Sequence, residues 1–188
     1  MFDLFSPTKK LATAIRQRGL LCVSLNADVL LQFGIDMFSR PFLRAFLDLL
    51  RVGVIRNVFF SCAQDLGVDL TRTFVSQVLR TCCRYKVPYI FESSLSQQLP
   101  PSLEVDLVKF SVAHIININI FDNRFIGTLR LFCSRLDTDP FDDHAVNQFA
   151  IKAKPRVAKV YMPIIHGMPT KLCHAISIAM TDAISVLR

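Results

Sequence analysis

The stretch TCCRYKVPYIFESS, residues 81–94, changes character twice. Its first residues complete an apolar helical pattern and end in a basic turn; residues 87–91 then form a short hydrophobic strand pattern, and a polar segment follows. Ligands bind at the carboxyl ends of strands in α/β domains, so Glu92, Ser93 and Ser94 lie where a small-molecule site or an RNA-facing loop is expected. An ordinary connection would have the same composition.

Helical and strand patterns alternate along the rest of the chain. We expect helices at 7–18, from about Pro41 to Gly53, at 70–85 and at 170–188, and strands at 20–25, 54–62, 88–91, around 112–120 and at 156–165. Residues 124–136 fit a helix or a strand. This alternation predicts an α/β fold, a layered α/β/α sandwich with a mixed sheet. We expect one domain over residues 1–188, with a core at 20–165 between the N-terminal helix 7–18 and the C-terminal helix 170–188.

The composition is that of a globular protein with a large core. Of 188 residues, 52% are hydrophobic, 16 are Phe and only 20% are charged, far from the composition of disordered chains. The mean hydropathy of +0.39 is high. No apolar run of 18 residues occurs, so we expect no membrane association, and the excess apolar surface is expected to contact other protein subunits.

The cysteines and the motifs exclude several classes of site. Six scattered Cys without a C-x-x-C pair predict reduced, buried thiols and a nuclear or cytoplasmic location, while the basic N-terminal segment leaves organellar import open. No phosphate-binding glycine loop, nucleophile elbow or zinc motif is present. Residues 137–144 are rich in Asp, and a solvated acidic loop is favoured there over a cation site. We therefore expect no catalytic residues, no metal and no cofactor.

The charge distribution favours a polyanionic partner. The chain has 22 Lys and Arg against 15 Asp and Glu, a formal net charge of +7. The segment IKAKPRVAKVY, residues 151–161, contains Lys152, Lys154, Arg156 and Lys159 without an acidic residue. In an extended chain the first three point to one side and form a strip that can contact successive phosphates. The alternative is a strand edge whose Lys side chains prevent aggregation.

Residues 49–99, LLRVGVIRNVFFSCAQDLGVDLTRTFVSQVLRTCCRYKVPYIFESSLSQQL, carry a resemblance to a known family. The order of elements, Asp65 after the apolar strand and the segment 87–89 (VPY) are similar to the kink-turn-binding ribosomal-protein superfamily, and most similar to its RNase P/MRP subunit. Residues 149–164 are similar to a basic segment of that subunit. Of the superfamily's RNA-binding signature, only Asn26 is retained, in SLNADVL.

The resemblance implies a non-catalytic RNA-binding subunit of a ribonucleoprotein, in tRNA or rRNA processing. It implies RNA contacts by Asn26 and, in the loop after the VPYIF strand, by Ser93, Ser94 and Gln97. Alternatively, Ser93 or Ser94 caps the next helix. Two other functions stay open. One is a protein scaffold or assembly subunit that docks through its apolar C-terminal helix. The other is an α/β enzyme whose site is lined by Asn26, Gln64, Asp65 and Glu92.

Overall fold

The computed structural model describes residues 1–6, 8–61, 69–94, 98–122, 124–134, 159–160 and 168–186. The helices of this part are α1 (Lys10–Arg16), α2 (Ala27–Gln32), α3 (Arg40–Arg51), α4 (Asp69–Arg84), α5 (Pro101–Phe110) and α6 (Thr170–Val186). The strands are β1 (Phe2–Leu4), β2 (Val23–Leu25), β3 (Val58–Phe60), β4 (Tyr89–Ser94), β5 (Ser111–Asn117), β6 (Phe125–Ile126), β7 (Thr128–Ser134) and β8 (Lys159–Val160), and a short 3-10 helix covers Ile118–Ile120.

Six of these strands form one mixed sheet in the order β2-β1-β3-β4-β7-β5. Strands β1 to β4 are parallel to one another, and β7 is antiparallel to both of its neighbours, β4 and β5. Strand β5 therefore points the same way as β4. We call the side of the sheet where β1 to β5 begin the amino edge and the side where they end the carboxyl edge.

Helices cover both faces of the sheet, and the period of two along each strand assigns the side chains to them. Phe60 and Phe91 point to the face covered by α3, α4 and α5, whereas Phe59 and Ile90 point to the face covered by α1 and α6. Each face has its own buried apolar cluster. The predicted layered α/β/α sandwich with a mixed sheet is confirmed.

An aromatic cluster fills the first face near the carboxyl edge. The ring of Phe74 from α4 contacts Phe5 and Phe38, with ring centroids 5.9 and 6.0 Å away. Phe5 has a φ of 64°, a left-handed conformation that is unusual for an aromatic residue. This conformation interrupts the alternation, so the consecutive residues Leu4 and Phe5 both enter the same cluster. Burial of the Phe5 ring offsets the backbone strain.

The polar end of the opening stretch belongs to a strand and not to a loop. Glu92, Ser93 and Ser94 continue β4 and pair with β7, which supplies an antiparallel partner that the sequence did not indicate. The expected loop position is therefore wrong. The alternative that Ser93 or Ser94 caps the next helix is also wrong, since α5 begins at Pro101 after Pro100.

Other elements differ from the expectation in length or were missed. Strand β1 has only three residues and α2 only six, too few for a detectable period, and the helix expected at 7–18 covers only Lys10–Arg16. Helix α5 was missed because exposed Val105 and Val108 obscure the buried pair Leu103 and Leu107. Residues 128–134 are strand β7, which decides the open alternative for this segment.

Two leucines of α4 allow a test of how strongly the stability of the fold depends on side chains buried beneath this helix. Leu79 is 3% exposed, whereas Leu70 is 61% exposed on the same helix. We expect Leu79→Ala to lower the free energy of unfolding by about 2–5 kcal/mol, because it leaves a cavity. Leu70→Ala is the matched control and should change it by less than about 0.5 kcal/mol. Urea unfolding measures both, and equal losses would contradict the packing described.

Candidate nucleic-acid interface

The amino edge of the sheet is lined by basic side chains. Helices α1, α3, α4 and α5 all end at this edge, because each returns the chain to the start of a strand. The last turn of every one of them contains a basic residue: Arg16, Arg51, Arg84 and Lys109. The connections into β2, β3 and β4 add Arg18, Arg56 and Lys86. All of these side chains are exposed.

We call this set of residues the basic edge. The helix ends and connections that form it, residues 16–22, 51–57, 84–88 and 109–111, contain no Asp or Glu. Six adjacent strands span roughly 24 Å at about 4.8 Å per strand, which sets the length of the edge. One connection of the carboxyl edge has the opposite character, since residues 26–39 contain Asp28 and Asp36 and no Arg or Lys, whereas the connection from β1 to α1 contains Lys9.

Part of the basic edge is engaged within the fold. Arg51 forms an ion pair of 2.7 Å with Asp48, one turn earlier in α3. Arg16 donates two hydrogen bonds, of 3.0 and 2.7 Å, to the carbonyl oxygen of Cys22 and so joins the end of α1 to the start of β2. Arg18 donates a hydrogen bond of 3.0 Å to Ser177 Oγ. The other exposed residues, Arg56, Arg84, Lys86 and Lys109, form no ion pair with any described residue.

Lys86 occupies a backbone position that usually belongs to glycine. At the end of α4 the N–H of Val87 bonds to the carbonyl of Cys82, and Lys86 between them has a φ of 54°. The same helix-ending motif closes α1, α2 and α3, and there the corresponding residues are Gly19, Gly34 and Gly53, with φ of 78°, 73° and 75°. Lysine in this left-handed conformation is strained relative to glycine.

The described residues among those expected to contact RNA lie in three different elements, α2, β4 and β8. Asn26 is the N-cap of α2, where its Oδ1 accepts hydrogen bonds from the N–H groups of Asp28 and Val29. Ser93 is fully buried in β4, so it does not face a ligand at the surface. Ser94 is placed by its backbone in β4 and Lys159 by its backbone in β8. Residues outside the described part are Gln97, Lys152, Lys154 and Arg156, and their RNA contacts stay a prediction.

The carboxyl edge holds two buried carboxyl groups that the sequence did not single out as a pair. Asp3 on β1 and Glu92 on β4 lie on the face covered by α1 and α6. Ser61 donates a hydrogen bond of 3.1 Å to Glu92 Oε2, and Ser24 donates one of 3.5 Å to Asp3 Oδ2. Asp3 Oδ1 has no hydrogen-bond partner among the described residues. Sequence alone offers one signal for this site, an acidic residue inside the apolar run MFDLF.

Burial controls the protonation of both groups. Loss of hydration is the main cause that raises the pKa of Asp3 to about 8, and the neighbouring Glu92 carboxyl acts in the same direction. Loss of hydration also raises the pKa of Glu92 to about 7, against a hydrogen bond from Ser61 that lowers it. Burial, with the nearby Glu92 and Asp3 carboxyls, raises the pKa of the Cys173 thiol as well. Cys173 is therefore a buried thiol and not an activated nucleophile.

This arrangement does not form the enzyme site considered from the sequence. Asn26 follows β2 and Glu92 belongs to β4, three strands and roughly 14 Å away across the sheet, and the two do not converge. Gln64 and Asp65 lie outside the described residues. The described part contains no group of His, Cys, Asp and Glu side chains able to hold a metal ion, and none of its helices is long and apolar enough to cross a membrane.

Comparison with family models, with curated proteins and with solved structures finds no match for this chain. The resemblance to the kink-turn-binding superfamily therefore stays a prediction.

The buried carboxyl groups predict a pH dependence of stability with a definite sign. In the unfolded chain they ionise near their ordinary pKa values of 3.8 and 4.5, whereas in the fold they hold their protons to about 8 and about 7. Between these limits the folded state binds more protons, so the free energy of unfolding falls as pH rises from about 4 to about 8. Urea unfolding at several pH values measures this slope.

A neutral substitution isolates the cause of that slope. Glu92→Gln cannot ionise, so it should reduce the fall in stability between about pH 4.5 and about pH 7. Asp28→Asn removes an exposed carboxylate and serves as the matched control, with the slope retained. A slope that is the same in Glu92→Gln as in the unmodified protein would show that Glu92 is not the titrating group.

Proposed function

We propose that this chain is a non-catalytic RNA-binding subunit of a ribonucleoprotein and that the basic edge is its RNA-contacting surface. The observation that carries the proposal is a row of exposed Arg and Lys along the amino edge, where the ends of α1, α3, α4 and α5 and the connections that follow them contain no acidic residue. A row of cations roughly 24 Å long matches the regularly spaced phosphates of a nucleic acid strand. The formal net charge of +7 agrees with such a partner.

Helix stability alone does not account for this row. A cation in the last turn of a helix complements the helix dipole and contributes about 0.3–1 kcal/mol, which is sufficient reason for Arg84 and Lys109. Arg56 and Lys86 lie beyond the helices, where that contribution decays. Lys86 also replaces the glycine that its backbone conformation favours. A charged partner outside the chain explains why cations are kept at these positions.

The proposal includes a place in RNA processing. Resemblance to the RNase P/MRP subunit supports a role in tRNA or rRNA processing in the nucleus or cytoplasm, beside other protein subunits. The segment with Lys152, Lys154, Arg156 and Lys159 would supply further phosphate contacts. Binding of this kind is electrostatic and tolerant of sequence, so its affinity falls steeply with salt.

A second candidate function is assembly through protein contacts, and an exposed apolar surface favours it. Helix α2 and the turn after it expose Val29, Leu31, Phe33 and Ile35, with Phe33 75% exposed. Two carboxylates, Asp28 and Asp36, flank these side chains. The basic edge exposes Leu21, Val52 and Val54 beside its cations. The two surfaces are complementary in charge and both are apolar, so a second copy of the chain is the partner that fits them, in a head-to-tail arrangement.

Charge reversal on the basic edge separates these functions. We expect Arg56→Glu with Lys86→Glu to weaken binding of a structured RNA and to reduce the salt dependence of log K by about 0.7–0.9 for each phosphate that is no longer neutralised. The matched control is Arg40→Glu with Arg44→Glu, the same change of charge on the exposed surface of α3 toward the carboxyl edge. Fluorescence anisotropy at several salt concentrations gives affinity and slope.

Light scattering on ribonuclease-treated protein completes the test. Equal RNA affinities for the two double variants, or no RNA binding by the unmodified protein, would contradict the RNA-binding proposal. If that protein also self-associates, and Arg56→Glu with Lys86→Glu or Phe33→Ser abolishes the association, the assembly function is the correct one.

A further inference from the structure

Two basic-aromatic pairs lie side by side on one part of the basic edge. Helices α4 and α5 both run from the carboxyl edge to the amino edge, and an ion pair of 2.9 Å between Arg80 and Asp106 joins them. Tyr85 follows Arg80 by just over one turn, and Phe110 follows Asp106 by one turn. The helix ends that carry Arg84 and Lys109 are therefore neighbours. We call residues 84–86 and 109–110 the paired helix ends.

Each aromatic ring at the paired helix ends has a cation beside it. The guanidinium carbon of Arg84 lies 5.8 Å from the centre of the Tyr85 ring, and Lys109 Nζ lies 5.2 Å from the centre of the Phe110 ring. Tyr85 is 42% exposed, so its ring is available at the surface. The motif of an exposed aromatic ring among cations is the one that proteins use to stack an unpaired base and hold its phosphates.

Tyr85 and the nearby Tyr89 differ in how much they contribute to the core. Tyr89 is 2% exposed, and its hydroxyl lies 2.7 Å from Ser111 Oγ, so it ties the start of β4 to the start of β5. That hydrogen bond holds the two strand starts, and with them the paired helix ends, at a fixed separation. The Tyr85 side chain makes no hydrogen bond of this kind to any described residue, and its burial contributes less to the fold.

We infer that the paired helix ends bind an unpaired nucleotide of single-stranded RNA, with the base stacked on Tyr85 and the adjacent phosphates held by Arg84, Lys86 and Lys109. This inference rests on the proposed RNA-binding function and specifies its ligand. A base within a duplex has both faces covered by its neighbours and cannot stack on a side chain. The strained Lys86 fits this role, because its backbone places a cation directly after the stacking ring, where glycine would relieve the strain.

The test compares ligands that differ in one property. The probes are an unstructured RNA of about twelve nucleotides, a duplex of the same length and inorganic polyphosphate, which has charge but no bases. Tyr85→Leu should weaken binding of the single strand about 5- to 150-fold and leave polyphosphate binding unchanged. Tyr85→Phe keeps the ring and should bind the single strand like the unmodified protein. Thermal unfolding of both variants checks that this exposed substitution leaves the fold intact.

Lys86→Gly provides a second test, in which RNA binding is expected to weaken without a loss of stability. Glycine suits the left-handed backbone, so the melting temperature should stay or rise, while binding of both the single strand and polyphosphate weakens severalfold. If Tyr85→Leu binds all three probes like the unmodified protein while Arg56→Glu with Lys86→Glu still weakens them, the stacking inference is wrong and the proposed function stands. If the unmodified protein binds none of the probes, the proposed function itself fails.

Discussion

Parallel pairing of β1 with β2 and β3, and of β3 with β4, determines where every other feature lies. A parallel pair needs a crossover that carries the chain back across the sheet, and here helices provide it. The carboxyl ends of α1, α3 and α4 therefore lie at one edge. Helix α5 also ends there, because β4 and β5 are both antiparallel to β7 and so run in the same direction. Residues that are distant in sequence, such as Arg18, Arg56 and Lys109, lie along that one edge as a consequence.

The two edges of the sheet differ in whether their charged groups are buried or exposed to water. At the carboxyl edge Asp3 and Glu92 are buried beneath α1 and α6, and their raised pKa values of about 8 and about 7 reduce the negative charge there near neutral pH. At the amino edge the cations remain in water. Of these cations, Arg56, Arg84, Lys86 and Lys109 form no ion pair with a described residue, which favours the attraction of a polyanion.

The sequence predicted the class of fold because alternation of apolar helical and strand patterns depends on local periods, as in α4 and β4. It did not predict β1 or α2, since three and six residues are too short to show a period, nor the extension of β4 through Ser94, which depends on pairing with β7. The basic strip expected at 152–159 and the basic edge have no residue in common. Within the basic N-terminal segment, α1 separates Lys9 and Lys10 at the carboxyl edge from Arg16 and Arg18 at the amino edge.

Prediction of the edge would have required the strand order. Individual cations at helix ends are visible in the sequence, as in the basic turn of the opening stretch, but only the parallel sheet aligns them. The significance of Lys86 is likewise invisible without its φ, because the sequence shows a lysine in a turn and not a departure from the glycines that close three other helices.

The most direct measurement is photo-crosslinking of RNA to the native protein, followed by identification of the crosslinked peptides by mass spectrometry. The account predicts crosslinks within residues 51–57, 84–88 and 109–111, with Tyr85 among the modified residues, and their loss as salt is raised. Crosslinks confined to residues 26–39 at the carboxyl edge, or a protein that retains no RNA at low salt, would contradict it.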